Sequence, residues 1–451
     1  APRRRAEHGP RRLASLRIPS LDIFRRRQFT LFWAGRWFGT LAIQMQLAAM
    51  FWQVYDTARI HGQDIREGAL TLGLVGLAQF LPLLALSLFG GQAADRYNRK
   101  LILLICFGMK TLIALGLCVA TQFGPDVVVP AIFAAAILAG ATNAFMPPAA
   151  SALLPMLLPR EDLPQGIAMS SLAFQSALII GPSVGGLLCG ISPLLAYGTV
   201  LILLLVSTAM VFALKPPKQE QVKDARTIGM IVMIVDGLKY VWSNKIVLGA
   251  ISLDLVVVLL AGAVALLPVF ARDILHGSAS ESGLLRSAMG VGAASVALML
   301  ALAPLRRRVG LWMFGSTIVF GLATIAFAQS TSIWLAAAAM VVAGGVDMIS
   351  VYVRSSLIQL ATPDSMRGRV SAVSFVFISA SNELGDFEAG LMARIFGPVM
   401  AVTIGGTAAV AASLGWMKLF PVLAQADGFE SKSLSPEAQS AVQLNQEVEK
   451  S

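Results

Sequence analysis

Charge is scarce in this chain of 451 residues: 13% are Asp, Glu, Lys or Arg, against 56% hydrophobic. That leaves too little polar surface to clothe a soluble globule and points to an integral membrane protein. Histidine is nearly missing. His8, His61 and His276 fall in a tail or in loops, which excludes a membrane-embedded imidazole as metal ligand or proton relay. The three cysteines, Cys106, Cys118 and Cys189, lie inside apolar runs with no paired spacing, so a disulfide framework, a metal site and a redox motif are excluded and a packing role is expected. HExxH, GxSxG and phosphate-loop patterns are absent, which argues against an enzyme, and no cofactor or metal is expected. Alternating ten-residue segments, the mark of a barrel, are lacking as well.

What is present is a series of apolar runs at or above the roughly 20 residues needed to cross a hydrocarbon core. Reading between breakers gives spans at 29–54, 68–92, 101–122, 126–150, 166–190 and 193–214. A second set follows at 246–271, 279–304, 310–328, 332–360, 370–392 and 396–420. The expected fold is therefore all-α, twelve transmembrane helices in two six-helix bundles. Residues 1–28 form a basic segment, 29–214 the first bundle, 215–245 a linker, 246–420 the second bundle and 421–451 a polar tail. Within the linker, TIGMIVMIVDGLKYVWSNK reads as an amphipathic helix suited to a membrane surface. The basic start resembles a signal peptide, but Phe29–Val54 is too long for an h-region and reads as a retained span.

The formal charge of +10 follows topology and not a nucleic-acid footprint. Starting inside, about 27 Lys and Arg fall in cytoplasmic segments and about 4 in external ones, a bias that places both termini in the cytoplasm of a plasma (bacterial inner) membrane. An internal echo joins the halves. PPAASALLPMLLPREDLPQGIAMSS aligns with VYVRSSLIQLATPDSMRGRVSAVSF, and GPSVGG at Gly181–Gly186 falls opposite GDFEAG at Gly385–Gly390, both at a shift of 204. Parallel six-span repeats are a transporter architecture with its binding site between the halves near the midplane.

Specific motifs sharpen this. Gly91, Asp95, Arg96, Arg99 and Lys100, in FGGQAADRYNRKL, resemble the G-x-x-x-D-R-x-G-R-K loop of the major facilitator superfamily. Asn98 stands where that pattern has glycine, and asparagine tolerates the left-handed backbone of a tight turn. Gly181, Pro182, Gly185 and Gly186 resemble the antiporter-associated G-P-x-x-G-G motif, whose small residues allow close helix contact and whose proline can bend the helix. NELGDFEAG and ATPDSMRGRVSAV resemble the enterobactin-exporter-like secretion branch of that superfamily, over residues 25–420. Ala150 and Ser151 stand where that branch carries an Arg-Gln pair. The resemblance implies alternating access and an exporter direction, and it makes Asp95 the anchor of a cytoplasmic gate that engages nearby cations and a helix N-terminus of the other half. Taken without it, the same loop is a basic turn that sets topology.

Charges inside spans cost roughly 2.5 kcal/mol or more each at the bilayer centre, so Arg36, Asp254, Arg286, Asp347, Glu383, Asp386 and Glu388 each need a reason. An interhelical ion pair is the structural reason; coupling or substrate binding is the functional one. Ser379, Asn382, Glu383, Asp386 and Gly390 recur at helical spacing and form one stripe, while Glu388 lies about 140° round from Glu383. Two carboxylates one turn apart repel, which suits proton binding and release. Glu383 and Asp386 lead as proton-coupling candidates, followed by Asp254, Asp347 and Glu388. Asp254 and Arg36 occupy pseudo-equivalent depths and either flank a central cavity or pair across it.

Arg36, Thr40 and Gln44 continue a stripe, and Gln46, Asn143, Gln175 and Asn382 add polar groups as substrate-cavity candidates. Trp33, Trp37 and Trp52 suit either a cavity lining or an interfacial belt. Asp347 and Arg354 share a face but stand about 10 Å apart in rise, and Arg286 lies near an external helix end, where snorkelling is the cheaper account. The expected protein is a proton-coupled antiporter, monomeric in the lipid bilayer, that exports a siderophore-like or drug-like small molecule. A broad multidrug or lipid-like amphiphile exporter is the alternative within transport. A transporter-like receptor or scaffold is the alternative of another class.

Overall fold

The computed structural model describes residues 21–217 and 230–427, apart from positions 160, 306 and 363; the side chains of several further residues, Asp95 and Ser379 among them, also lie outside the described set. After a short 3-10 turn at Leu21–Arg25, helices α1 (Arg27–Ile60), α2 (Ile65–Arg96), α3 (Arg99–Ala120), α4 (Pro125–Leu157), α5 (Leu163–Ile191) and α6 (Pro193–Phe212) form the first set. The linker contributes α7 (Met230–Ser243). The seventh span is α8 (Lys245–Leu260), a break, α9 (Leu267–Val269) and a π turn, Phe270–Ile274. Then come α10 (Ala279–Leu302), α11 (Val309–Ala328), α12 (Ile333–Ala361), α13 (Asp364–Phe396), α14 (Pro398–Leu419) and the short α15 (Pro421–Ala424). The fold is all-α.

Among the described residues, ten of these segments are long and apolar enough to cross a membrane. Helix α1, 34 residues long, misses that standard because it holds the polar stripe that carries Arg36, Gln44 and Gln46; α13, 33 residues long, carries Asn382, Glu383 and Asp386, and several of its residues lie outside the described set. With them, the structure is consistent with twelve spans. Helix α1 tolerates this content because it is enclosed: from Phe29 to Arg59 no residue is exposed. Prolines at 130, 147, 148 and 155 lie within α4, which membrane helices accept when neighbours re-satisfy the freed backbone groups.

The packing repeats. Helix α1 packs on α5 and α6, as α8 packs on α13 and α14; α2 meets α4 as α10 meets α12; α3 meets α4 and α6 as α11 meets α12 and α14. Two further contacts, α2 with α13 and α5 with α10, join the bundles and exchange under the same operation. The face where α1 begins is called the tail face below, and the opposite one the far face.

Small residues determine how closely these elements approach. A Cβ at Gly181 would lie 2.6 Å from Gln44 Cβ and one at Gly185 2.6 Å from Met45 O, so both press α5 onto α1. Gly186 instead meets α10, at Ala279 O (2.4 Å) and Gly283 Cα (2.9 Å). In the second bundle Gly385, at the repeat position of Gly181, packs on Val258 and Leu259 of α8, and Gly390, at that of Gly186, meets Ala69 O and Gly73 Cα of α2, each at 2.8 Å. The 204-residue echo thus marks two bundle crossings of the same construction, both in the far-face halves of their helices.

Local signals set several boundaries. Asn98 is the N-cap of α3 with φ −63°, its side chain accepting from Lys100 N and Leu101 N. This corrects the left-handed turn expected there: asparagine replaces glycine as a cap donor-binder, which needs an extended backbone. Asn244 caps α8 in the same manner, and Ser278 with Glu281 forms a capping box at α10. The expected linker helix is present and rests on α13 through Gly237 and an Asp236–Arg369 ion pair of 3.0 Å. The tail expected from 421 starts later: Leu423 and Ala426 are buried against α8 and α11, and Ala426 O accepts from Gly310 N. Residues 428–451 and 1–20 lie outside the described residues. Cys106, Cys118 and Cys189 are buried and free, as packing residues.

Candidate functional site

The bundles meet around one acidic cluster. Helix α13 carries Glu383 and Asp386 one turn apart on the face toward α2, both half-buried. From α2, Gln79 Nε2 donates to Glu383 Oε1 at 2.7 Å, a bond between the two bundles. Asp386 lies against Gly76, where a Cβ would come within 3.0 Å of the Asp386 Cβ, so glycine is what lets α2 reach this carboxylate. On the other side the broken stretch of span seven comes up against this part of α13, where a Cβ at Gly262 would lie 3.2 Å from the Gly385 carbonyl. Irregular backbone at membrane depth is tolerated where it lines such a site. Arg286 of α10 faces both carboxylates electrostatically.

That arrangement revises the reading of Arg286. Snorkelling was expected from its place seven residues into α10; it turns inward because two acids of α13 offer it a partner inside the protein. Of the two arrangements open to Asp254 and Arg36, pairing across the cavity does not occur: Asp254 is buried at 5% exposure and ion-paired with Arg354, which is 4% exposed, so α8 and α12 neutralise each other within one bundle. The partner chosen is the one that needs no bundle interface to persist. Asp347 and Glu388 are half-buried.

Polar candidates in the first bundle divide. Asn143 Oδ1 accepts from Lys110 Nζ at 3.0 Å, Gln46 reaches only Met50 S, and Gln44 packs under Gly181. Gln175 is half-buried and Asn382 exposed. Arg36 and Thr40 line a narrow cleft with Trp33, Ser170, Ala173 and Phe174. Trp33 stacks on Trp37 with ring centroids 6.4 Å apart and planes within 5°, whereas Trp52 is buried. Sequence reasoning missed Lys110 and Gln79. Lys110, a lone cation in the middle of an apolar 22-residue helix, was legible; Gln79 depends on what faces it.

At the far face a second set of charges joins the bundles. Arg59 of α1 binds Asp273 at 3.0 Å, and Tyr55 donates to the same carboxylate. Arg272 pairs with Asp56 and also donates to its carbonyl oxygen at 3.0 Å. The π turn places Arg272 and Asp273 side by side to meet acid and base of the opposing helix end. On the tail face the motif-loop cations serve their own bundle: Arg99 donates to Ala94 O and Ala152 O, and Lys100 to Phe212 O and Leu214 O at the end of α6. A would-be Cβ at Gly91 meets nothing, Arg96 is exposed, and the Asp95 side chain is outside the described residues.

Two repeat-related bundles enclosing a half-buried polar seam define a secondary transporter, not an enzyme. The transmembrane secretion effector model (MFS_3) matches residues 18–449, and the chain belongs to that family of the major facilitator superfamily. It is 27% identical over 356 residues to a protein named enterobactin exporter EntS from Citrobacter koseri, covering 78% of this chain and 82% of that one. Its fold is similar to a D-xylose–proton symporter, with TM-score 0.66, 15% identity and coverage of 89% and 98% of the two chains. The inward-open xylose transporter XylE of E. coli is similar with TM-score 0.64, 12% identity and coverage of 86% and 96%.

Proposed function

We propose that this chain exports an organic small molecule from the cytoplasm by alternating access, driven by protons moving inward. The observation that carries this reading is the Gln79–Glu383 hydrogen bond, because it joins an ionisable group to the seam that must part. With the far face closed, Glu383 accepts from Gln79 and Asp386 packs against Gly76. Separating α2 from α13 removes the Gln79 bond and opens the pair to water from the far side. Proton uptake and release are thereby tied to which face is open, the requirement for an antiporter. Hydrogen bonds to a charged group contribute about 1.5–3 kcal/mol, enough to bias a two-state element about tenfold or more.

The cation bias of the loops supports a cytoplasmic tail face. The close approaches at Gly186–Gly283 and Gly73–Gly390 then belong to the external side, and on this reading the conformer is closed to the outside. In the outward half-cycle the tail face closes instead, and Gly91, Asp95, Arg96, Arg99 and Lys100 are proposed to latch it. The likeness to enterobactin exporters supports a siderophore-like cargo. In proteoliposomes with an imposed proton gradient, Glu383→Gln combined with Asp386→Asn is expected to abolish gradient-driven efflux while leaving exchange down a substrate gradient. Undiminished gradient-driven efflux would refute the coupling.

A further inference from the structure

The two walls of the bundle interior carry opposite charge. In α8–α14 the interior acids are Asp254, Asp347, Glu383, Asp386 and Glu388; in α1–α6 the interior charges are Arg36 and Lys110, and the acids of that bundle sit at helix ends or in loops. Among the interior arginines, Arg354 pairs with Asp254 and Arg286 faces Glu383 and Asp386. Arg36 has no carboxylate partner among the described residues: its guanidinium stands 5.6 Å from the Phe32 ring, its one described cationic contact. Beside it, in the same cleft, the Ser170 hydroxyl is buried without a hydrogen-bond partner.

A half-buried guanidinium with unused donors next to an orphaned hydroxyl is a site short of acceptors. Thr40 supplies a further hydroxyl, and Trp33 and Phe174 supply aromatic walls. Trp33 is itself held, donating to Met169 O at 2.9 Å, and Trp37 donates to Ser176 at 2.9 Å, so the aromatic side is rigid. On α5, Phe174 of the cleft lies one turn from Leu178, whose carbonyl approaches Gly290 of α10 in the other bundle.

We infer that the Arg36 cleft binds the acidic group of the substrate, so that the cargo is an organic anion carrying an aromatic or other planar ring beside its carboxylate or phenolate. The guanidinium takes the two oxygens of the anion through its fork of donors, Ser170 and Thr40 donate to them, and the ring lies outside the cleft against the exposed Phe174, since Trp33 is already flanked by Phe24 and Trp37. The cleft is narrow and admits this group, not the whole molecule. The inference rests on the export reading and adds a division of labour: substrate anion on the first bundle, protons on the second.

The test uses the full chain in lipid nanodiscs and three probes of one shape: 2-naphthoate, the neutral 2-naphthamide and cationic 2-naphthylmethylamine, followed by tryptophan fluorescence. Naphthoate is expected to bind at least about tenfold more tightly than the other two, and Arg36→Gln to remove that preference, with Arg36→Lys retaining part of it because the charge stays while the fork is lost. Ser170→Ala, a change too small to threaten folding, is expected to weaken naphthoate severalfold and leave naphthamide unmoved. Equal binding of the three probes, or an unchanged preference in Arg36→Gln or Ser170→Ala, overturns the anion site. Glu383→Gln with Asp386→Asn separates this from the coupling: naphthoate preference is expected to survive there, and its loss would likewise overturn the assignment to Arg36.

Discussion

Gly186→Ala tests whether the far-face closure depends on absent side chains. The added Cβ would sit 2.4 Å from Ala279 O and 2.9 Å from Gly283 Cα, both backbone atoms of α10. Ordinary contact begins near 3.4 Å, so α5 and α10 must part by about 1 Å at a crossing with no flexible side chain to yield. Overpacking of this kind costs about 1–3 kcal/mol. The strain exists only while the far face is closed, so it moves the closed-to-open ratio by about 5- to 150-fold toward the open form. Gly390→Ala, at the repeat position and 2.8 Å from Ala69 O and Gly73 Cα, is expected to do the same. Gly198→Ala, where a Cβ would meet nothing within 4 Å, is the control. The assay is the distance distribution between spin labels at Gln63 and His276, exposed positions of the two bundles at the far face, in a background with the three native cysteines replaced. A long-distance population should grow in Gly186→Ala and Gly390→Ala alone. No shift in either variant, or an equal shift in Gly198→Ala, would refute the argument.

Breaking the buried Asp254–Arg354 pair should destabilise the second bundle: Arg354→Ala leaves an uncompensated carboxylate and is expected to cost about 3–5 kcal/mol, read as reduced thermal stability in detergent, with Asp254→Leu/Arg354→Met close to the parent. Comparable melting of the single and double variants would speak against it. At the far face, Asp56→Arg should open the bundle ends by a few-fold, since partly exposed ion pairs contribute up to about 1 kcal/mol each. Adding Arg272→Asp should restore closure, and failure of the reversed pair to do so in the same label measurement would remove Arg272–Asp56 from the closure.

Much of this architecture was legible because hydrophobic periodicity is a local property. Most span limits fall within four residues of the helix ends, while the limits at 54, 150 and 370 fall six or seven residues short of theirs, and the 204-residue echo recurs as the matched Gly181/Gly385 and Gly186/Gly390 contacts. The stripe of Glu383 and Asp386 follows from 3.6 residues per turn alone. Partner choice did not follow from spacing. Asp254 has Arg36 at its pseudo-equivalent depth and Arg354 a hundred residues on, and nothing in either helix tells which one it faces. Arg286, near its helix end, looked free to reach water until α13 was placed beside it.

The amino-acid sequence by itself determined a helical membrane protein of two related halves, with the charge bias of its loops and the residue types of its polar stripes. These depend on composition and on contacts a few residues long. Only the tertiary structure decided that Gln79 holds Glu383, that the broken seventh span packs against α13 beside Asp386, and that, among the described residues, Arg36 is left without an acid. Each of these depends on which helix faces which across the bundle. That is settled where glycine lets backbones touch, and it is a relation between elements that no single helix encodes.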